Sequence, residues 1–277
     1  MDKTMKIQQK YCWLIMTVCV SAIGLQPAGS WASDAFGSGW DIGWETSAIT
    51  YEEPNVMKQE GVMNGISASF TNHQETLVRV DARYSGGNVD YVSNGTGAMD
   101  DIDDFAWEMR FLLGQDLYRS ADGFITPYFG FGYRYLNDNS QGRLTTTGYL
   151  GYERESNYYY TPLGIWGTKR MRESWLVSAM LEYDFFWRGV QESNLSGAIS
   201  GLEDVENEQN DGYGCRASVR LMKDNTSHVL FVEPFVRYWN IDRSENANIT
   251  YSGVIVGYGY EPENTSLEYG LKIGAYF

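Results

Sequence analysis

Carboxylates at alternate positions are the residues of this sequence best placed for acid–base chemistry. Glu182 and Asp184 stand two residues apart in a segment, 174–188, where polar and apolar residues alternate. Residues two apart share one face of a β-strand, so both carboxylates would point the same way. Such a pair can divide the roles of general acid and general base. Arginines recur on the same faces of this and other segments, however, which favours structural ion pairs over catalysis.

Histidine, the most common general base, occurs only as His73 and His228. The surrounding sequences, "TNHQE" and "NTSHV", predict short turns with solvated histidine side chains. Both turns fall at the same end of the architecture derived below, opposite the long loops. We therefore predict no catalytic residue and no enzymatic activity.

Two acidic runs, "MDDIDDF" and "GLEDVENEQND", supply the oxygen ligands that Ca²⁺ and Mg²⁺ prefer. Neither run has the spacing of an EF-hand loop, so the signal is weak, and solvated charge is the alternative interpretation. The predicted metal ligands are Asp100, Asp101, Asp103, Asp104, Glu203 and Asp204. No other cofactor is expected.

Residues 1–32 have the features of a cleaved secretory signal peptide. Three lysines precede the apolar stretch Trp13–Leu25, and the small residues Ser30 and Ala32 stand at the −3 and −1 positions of a cut after Ala32. The apolar stretch is shorter than the ~20 residues of a transmembrane helix. Cleavage would leave Cys215 as the single cysteine of residues 33–277, which excludes a disulfide within the chain.

The charge of residues 33–277 is strongly negative. Removing three lysines and one aspartate with the signal peptide leaves 18 Lys+Arg and 35 Asp+Glu, a net charge of −17. This balance argues against nucleic acid as a partner. No later stretch reaches 18 apolar residues, so we expect no transmembrane helix in the remainder.

Ten segments with a period of two predict the fold. They are 39–51, 62–71, 75–87, 105–117, 124–136, 158–168, 174–188, 212–222, 229–240 and 266–277. The gaps between them alternate long and short, as in a membrane barrel whose two termini lie at the end with short turns. The sequence therefore predicts an all-β, transmembrane, antiparallel up-and-down β-barrel of about ten strands. Eight strands are possible if the sixth segment, which contains Pro162, belongs to a loop.

The alternation also assigns an uncharged face to lipid and a charged face to the lumen. The predicted lumen network comprises Arg79, Asp81, Arg83, Glu108, Arg110, Arg134, Glu182, Asp184, Arg188, Arg216, Arg220, Glu233, Arg237, Glu268 and Lys272. With Asp41, Glu45 and Asp116 the inward faces hold nine bases and nine acids. The five long gaps hold 21 acids and four bases, and Cys215 falls on the lipid face. A ten-stranded lumen is narrow, which favours a plugged interior over a conduit.

The segments "YGLKIGAYF" and "PYFGFGYRYL" resemble those of Gram-negative outer-membrane β-barrels, including the opacity-type and OmpA-like small barrels. The ten strands are also similar in number to the omptin proteases, whose histidine chemistry at the outer rim this sequence lacks. The resemblance implies export through the periplasm and insertion into the bacterial outer membrane. It also implies an assembly signal for the barrel-assembly machinery at Tyr269, Leu271, Ile273, Ala275 and Phe277.

These features predict a structural or surface-interaction role that depends on the acidic outer loops. The alternative is a narrow, porin-like pore for small solutes, and an omptin-like enzyme is less favoured. The expected partners are outer-membrane lipid, lipopolysaccharide bridged through divalent ions, and a surface ligand that the sequence does not identify. We expect the chain to be a monomer.

Overall fold

The computed structural model describes residues 38–225 and 228–277, and ten long strands account for most of them. The strands are β1 (Gly39–Glu53), β2 (Met57–His73), β3 (Thr76–Ser93), β4 (Gly97–Gln115), β5 (Gly123–Asn139), β6 (Glu153–Arg172), β7 (Trp175–Ser193), β8 (Gly212–Asn225), β9 (His228–Ile241) and β10 (Asn264–Tyr276). The predicted signal peptide lies outside the described residues. No helix within the described ranges is long and apolar enough to cross a membrane.

The ten strands form a closed antiparallel barrel. Each strand pairs with the next in chain order, and β1 pairs with β10 from Asp41 opposite Tyr276 to Glu52 opposite Thr265. This closure leaves no unpaired edge in the barrel wall, as a lipid environment requires. The predicted fold class and the count of ten strands are confirmed, and the eight-stranded alternative is wrong.

The side chains of the wall alternate between lipid-facing and lumenal positions. On β7, Leu181, Tyr183 and Phe185 are exposed on the outside, whereas Glu182 and Asp184 are buried inside. Aromatic rings on the outside of neighbouring strands pack side by side, for example Tyr84 with Phe105 and Trp107 with Tyr133. Such girdles of aromatic residues mark the interfaces of membrane barrels.

The strands extend well beyond the length that a bilayer needs. They contain 13–20 residues, whereas roughly 9–11 tilted residues cross the hydrocarbon. We call the end at which β1 begins and β10 ends the turn end, and the opposite end the loop end. The predicted long loops 52–61 and 88–104 are mostly strand, and tight turns at 54–56 and 94–96 join them. The prediction missed these extensions because above the bilayer the outward face becomes polar, which removes the apolar alternation.

Longer connections remain at the loop end, at 140–152, 194–211 and 242–263. The second contains a short strand, Val205–Gln209, that pairs with β7. The third contains a separate two-stranded sheet, Ala247–Tyr251 with Val254–Gly259, which we call the outer hairpin. At the turn end the connections are short, and one of them includes the strand Tyr118–Ser120.

A β-bulge changes the faces of the loop-end half of β7. Tyr160 lies opposite Phe186 and Tyr159 lies opposite Arg188, so Trp187 is an extra residue on β7. The prediction that Arg188 faces the lumen is therefore wrong, because one inserted residue reverses the alternation beyond it. On β6 only Tyr159 joins the outer aromatic girdle, and its neighbours Tyr158 and Tyr160 point into the lumen.

Candidate functional site

A network of charged side chains fills the middle of the lumen. The structure places every predicted member except Arg188 inside the barrel, together with Asp41 and Glu45. Without Arg188, and leaving out Asp116, which lies at the turn end beside His73 and Arg119, this network contains eight bases and eight acids. A buried charge is tolerated only when it is paired, so this balance is what a folded barrel requires.

Two arginines and two glutamates form the first cluster of the network. Arg83 contacts Glu45 at 3.0 Å and Glu268 at 3.1 Å. Arg237 contacts the same two carboxylates, each at 3.1 Å. Arg83 also reaches Glu108 at 3.1 Å and so links this cluster to the next. These contacts connect β1, β3, β4, β9 and β10 across the lumen.

Arg216 is the centre of the second cluster. Its guanidinium contacts Glu108 at 3.0 Å, Asp184 at 2.8 Å and Glu182 at 2.8 Å. Arg110 contacts the other side of Glu182 at 2.6 Å. The carboxylates Glu182 and Asp184, which the sequence offered as an acid–base pair, are thus both paired with arginine, and this arrangement favours the structural interpretation.

Two tyrosines complete the hydrogen bonding of the second cluster. The Tyr160 hydroxyl donates to Glu108 at 2.5 Å, and the Tyr128 hydroxyl donates to Glu182 at 2.6 Å. Both phenols are almost fully buried. Sequence reasoning missed them, although their inward alternation on β5 and β6 was available as a signal.

The third cluster lies nearer the turn end. It consists of Arg79, Arg220 and Lys272 with Asp41, Asp81 and Glu233. Arg79 contacts Asp81 at 2.6 Å, and Arg220 contacts Glu233 at 2.6 Å and also Asp41. Lys272 is less closely held, with its Nζ 3.7 Å from Asp41. A cavity of about 130 Å³ lies beside this cluster and is also lined by Ser69 and Trp166.

Arg134 and Arg188 show two different outcomes for arginines predicted in the network. Arg134 is buried in the lumen, where its guanidinium lies 5.4 Å from the Trp239 ring and 3.5 Å from the Ser266 hydroxyl. Cation–π contact with tryptophan is a recognised way to stabilise a desolvated guanidinium. Arg188 is about half exposed outside the barrel, where it pairs with Glu208.

Clusters of buried apolar side chains lie in the lumen on both sides of the charged layer. Toward the turn end they are Leu77, Leu112, Leu176, Met222, Val229 and Phe231. Toward the loop end they are Ile49, Met63, Val89, Met99, Ile102, Tyr158, Tyr160, Phe186, Trp239 and Ile241. A filled, layered interior of this kind is what a small barrel is expected to have.

His73 closes the turn end and is not solvated. It is 1% exposed, its Nε2 lies 2.7 Å from Asp116, and its ring packs on Trp166 and Phe124. The prediction of a solvated side chain is wrong because His73 is the last inward residue of β2, one position before the turn. His228 also lies at the turn end, so the loop end has no histidine.

At the loop end, the connection 242–263 is fastened over the mouth of the barrel. Arg154 on β6 contacts Glu53 on β1 at 2.6 Å and also Glu261 of this connection. The Tyr51 hydroxyl lies within hydrogen-bond distance of both carboxylates, at 3.2 and 3.4 Å, and can donate its single proton to either. Burial raises the pKa of Glu261 to about 7, against the attraction of Arg154 and with the repulsion of Glu53. Sequence reasoning missed this cluster, since it assigned these residues to solvated loops.

The predicted metal ligands lie in two separate places. Asp100, Asp101 and Asp103 are exposed on β4, while Asp104 turns inward opposite Asp138. Glu203 and Asp204 accept backbone hydrogen bonds within the loop end from Gly253 and Ser196, respectively. Across residues 38–225 and 228–277, no three His, Cys, Asp or Glu side chains are arranged to hold a metal. Ion bridges from these residues to lipopolysaccharide stay a prediction.

The predicted assembly signal occupies the outer face of β10. Tyr269, Leu271, Ile273 and Phe277 are exposed there, with Ala275 half-buried between them. Cys215 is exposed on the outer face of β8. Recognition by the assembly machinery stays a prediction.

Comparison with known proteins identifies the fold. No protein-family model and no curated protein sequence matches the chain. Among solved structures, the outer-membrane protease OmpT from Escherichia coli aligns with a TM-score of 0.65 at 10% identity, over 87% of this chain and 96% of OmpT. At this identity the likeness shows the fold alone: the chain is a ten-stranded barrel of the outer-membrane type.

Other outer-membrane proteins align less well. The translocator domain of the autotransporter NalP from Neisseria meningitidis has a TM-score of 0.41 at 13% identity, over 97% of each chain. The toluene transporter TodX from Pseudomonas putida has a TM-score of 0.34 at 9% identity, over 88% of this chain and 90% of TodX. No functional argument rests on these two.

Proposed function

We propose that this chain is a closed barrel of the bacterial outer membrane that presents its loop end at the cell surface for interaction with other molecules. The observation that supports the proposal is the filling of the lumen by ion pairs and buried apolar side chains, with the connection 242–263 bonded to β6 at the loop end. A barrel filled in this way has a scaffold's rigidity and leaves its extracellular connections as the parts free to bind.

The charge distribution supports interaction at the loop end. The five long gaps of the sequence, which lie at the loop end, carry the net charge of −17, whereas the charged network of the lumen is neutral. A large field of one sign attracts oppositely charged partners and speeds their association. The expected partners are therefore cationic, and the chain acts without catalysis because both histidines lie at the turn end.

A narrow pore is the second candidate, because the lumen contains the cavity beside Lys272. Conduction would require both apolar layers to move. The conductance measurement described at the end of the Discussion separates the two candidates.

The interaction role can be tested with the folded chain in nanodiscs of zwitterionic lipid. The discs are passed over an array of cationic, neutral and anionic peptides, and retention is compared with that of a variant whose segments 140–152, 194–211 and 242–263 are replaced by short Gly-Ser turns. We expect the cationic peptides to retain discs that contain the wild-type chain but not discs that contain the variant. Equal retention of both chains, or none at all, would overturn the proposal.

A further inference from the structure

The outer hairpin exposes large apolar side chains on both of its faces. Val254, Ile255, Val256 and Tyr258 are 64%, 53%, 61% and 72% exposed. Val254 and Ile255 are consecutive and precede a β-bulge at Val256, and consecutive regular residues of a strand point to opposite faces. Neither face is therefore covered by the described parts of the chain. Apolar patches at a solvent-exposed site with polar surroundings mark interaction surfaces.

The turn of the hairpin is fixed by its own residues and by a neighbouring loop. Ser252 and Gly253 have φ values of 49° and 81°, as a two-residue type I′ turn requires. Their backbone N–H groups donate to the Gly201 carbonyl at 2.7 Å and to the Glu203 carboxylate at 3.2 Å. The hairpin is thus a preformed element, so a partner would not have to order it.

One edge of the hairpin is covered and the other is open. The Glu203 N–H donates to the Thr250 carbonyl at 2.9 Å, and Leu202 forms a β-bridge with Tyr251. These contacts occupy the edge of the strand 247–251. Within the described ranges, residues 254–258 have no backbone hydrogen bond outside the hairpin. An open strand edge offers a row of N–H and C=O groups to another extended chain.

The charge of the loop-end segments that surround the hairpin selects the partner. Glu203 is bonded to the turn, Asp204 follows it, and Glu245 lies on the same connection as the hairpin. The one base of that connection, Arg243, lies with its guanidinium 3.8 Å from the Tyr260 ring. Since every copy of this chain carries the same negative field, a second copy and an anionic bilayer would both be repelled.

We propose that the open edge at 254–258 binds an extended polypeptide segment in which Lys or Arg alternates with apolar residues, by addition of a strand to the outer hairpin. This inference rests on the proposed function, which makes the loop end an interaction surface. Backbone hydrogen bonds supply the affinity of such strand addition, and side chains on the two faces supply its selectivity. Here the apolar residues of the segment pack on Val256 and Tyr258, and its cations face the acidic loop end.

The test uses the full chain, folded in zwitterionic nanodiscs, and a decapeptide of alternating Lys and Val as the probe. Val256→Lys places a charge on the open edge, and Val56→Lys makes the same change at an exposed turn of the loop end as a matched control. We expect Val256→Lys to weaken binding at least tenfold and Val56→Lys to change it less than twofold. N-methylation of alternate peptide bonds should also weaken binding at least tenfold, since it removes backbone donors.

Several results would overturn the inference. These are equal weakening by the two substitutions, binding unchanged by N-methylation, or equal binding of a Glu/Val decapeptide. Partition of the chain's loop end into protein-free zwitterionic vesicles, abolished by Val256→Lys, would instead identify the hairpin as a lipid-inserting element. One result would separate the two proposals. If the Lys/Val peptide no longer binds the variant with three shortened loop-end segments but still binds the Val256→Lys variant, the interaction role stands and only the edge-binding inference fails.

Discussion

Arg216 is the residue whose removal should damage the barrel most. It is 6% exposed and contacts Glu108, Glu182 and Asp184. Arg216→Met would leave these acids with too few cations, and breaking a buried ion pair in this way costs about 3–5 kcal/mol. Urea unfolding of the folded protein in detergent should show a loss of that order in the free energy of unfolding.

Arg188→Met is the matched control for this experiment. Arg188 also pairs with a glutamate, Glu208, but both side chains are about half exposed. Exposed pairs of this kind contribute little, so we expect no measurable change in the free energy of unfolding. Equal destabilisation by both substitutions would contradict the assignment of Arg216 to the lumen and Arg188 to the surface.

Glu261 should make the closure of the loop end depend on pH. Burial raises its pKa from 4.5 to about 7. The charged and titratable groups around it are Arg154 from β6, Glu53 and Tyr51 from β1, and the nearby Tyr152 and Asp138. The closed state therefore binds a proton that the opened connection releases between pH 4.5 and 7. Closure is favoured most below pH 4.5, weakens as the pH rises to about 7 and is constant above that.

Hydrogen exchange of the amides in 242–263, corrected for intrinsic exchange, measures this effect. Protection should fall at least about tenfold between pH 4.5 and 7, since each pKa unit corresponds to a factor of ten. Glu261→Gln should remove the fall, whereas Glu263→Gln, two residues away, should leave it. A pH profile that Glu261→Gln does not alter would contradict the role given to Glu261.

At the scale of elements, the bulge on β7 can be tested by chemical labelling. In a Cys215→Ala background, Arg188→Cys should react on intact cells with a membrane-impermeant maleimide. Phe186→Cys, two residues away on the lumenal side of the bulge, should not react, because Phe186 is 3% exposed inside the barrel. Protection of both cysteines would restore the simple alternation that the sequence predicted, in which Phe186 and Arg188 share the lumenal face.

The outer hairpin should be dispensable for the barrel. It pairs within itself, and its other backbone bonds are to residues of the loop end. Replacing 247–259 by a Gly-Ser turn should leave the heat-dependent gel shift of the folded barrel unchanged. Loss of that shift would show that the hairpin takes part in barrel folding.

The ten strands were predictable because lipid imposes an apolar outward face on each of them, and a period of two is visible in one sequence. The same reasoning placed the lumen charges, with Arg188 as the exception. Trp187 caused that error, since a bulge adds one residue without changing composition.

The strand extensions above the bilayer and the Glu53–Arg154–Glu261 cluster were missed because their outward faces are polar. Pairing partners such as Arg216 and Glu108 depend on shear of the barrel, which alternation does not encode.

At the scale of the whole molecule, the described barrel is filled by a balanced network of charges and has an acidic loop end. The interior joins distant strands by charge pairs, for example Arg83 on β3 with Glu268 on β10. Such pairs make the wall rigid and occupy the path that a solute would take. At the loop end, by contrast, acidic side chains and the apolar side chains of the outer hairpin are exposed.

The central claim is that the lumen is closed, and planar-bilayer conductance of refolded residues 33–277 tests it most directly. A heat-dependent gel shift establishes folding, and a known porin added afterwards establishes that the bilayer can report a channel. The structure predicts no discrete current steps from the folded chain between addition and the porin control. Discrete steps whose size changes on Arg110→Gln would contradict the closed barrel and assign the lumen to transport.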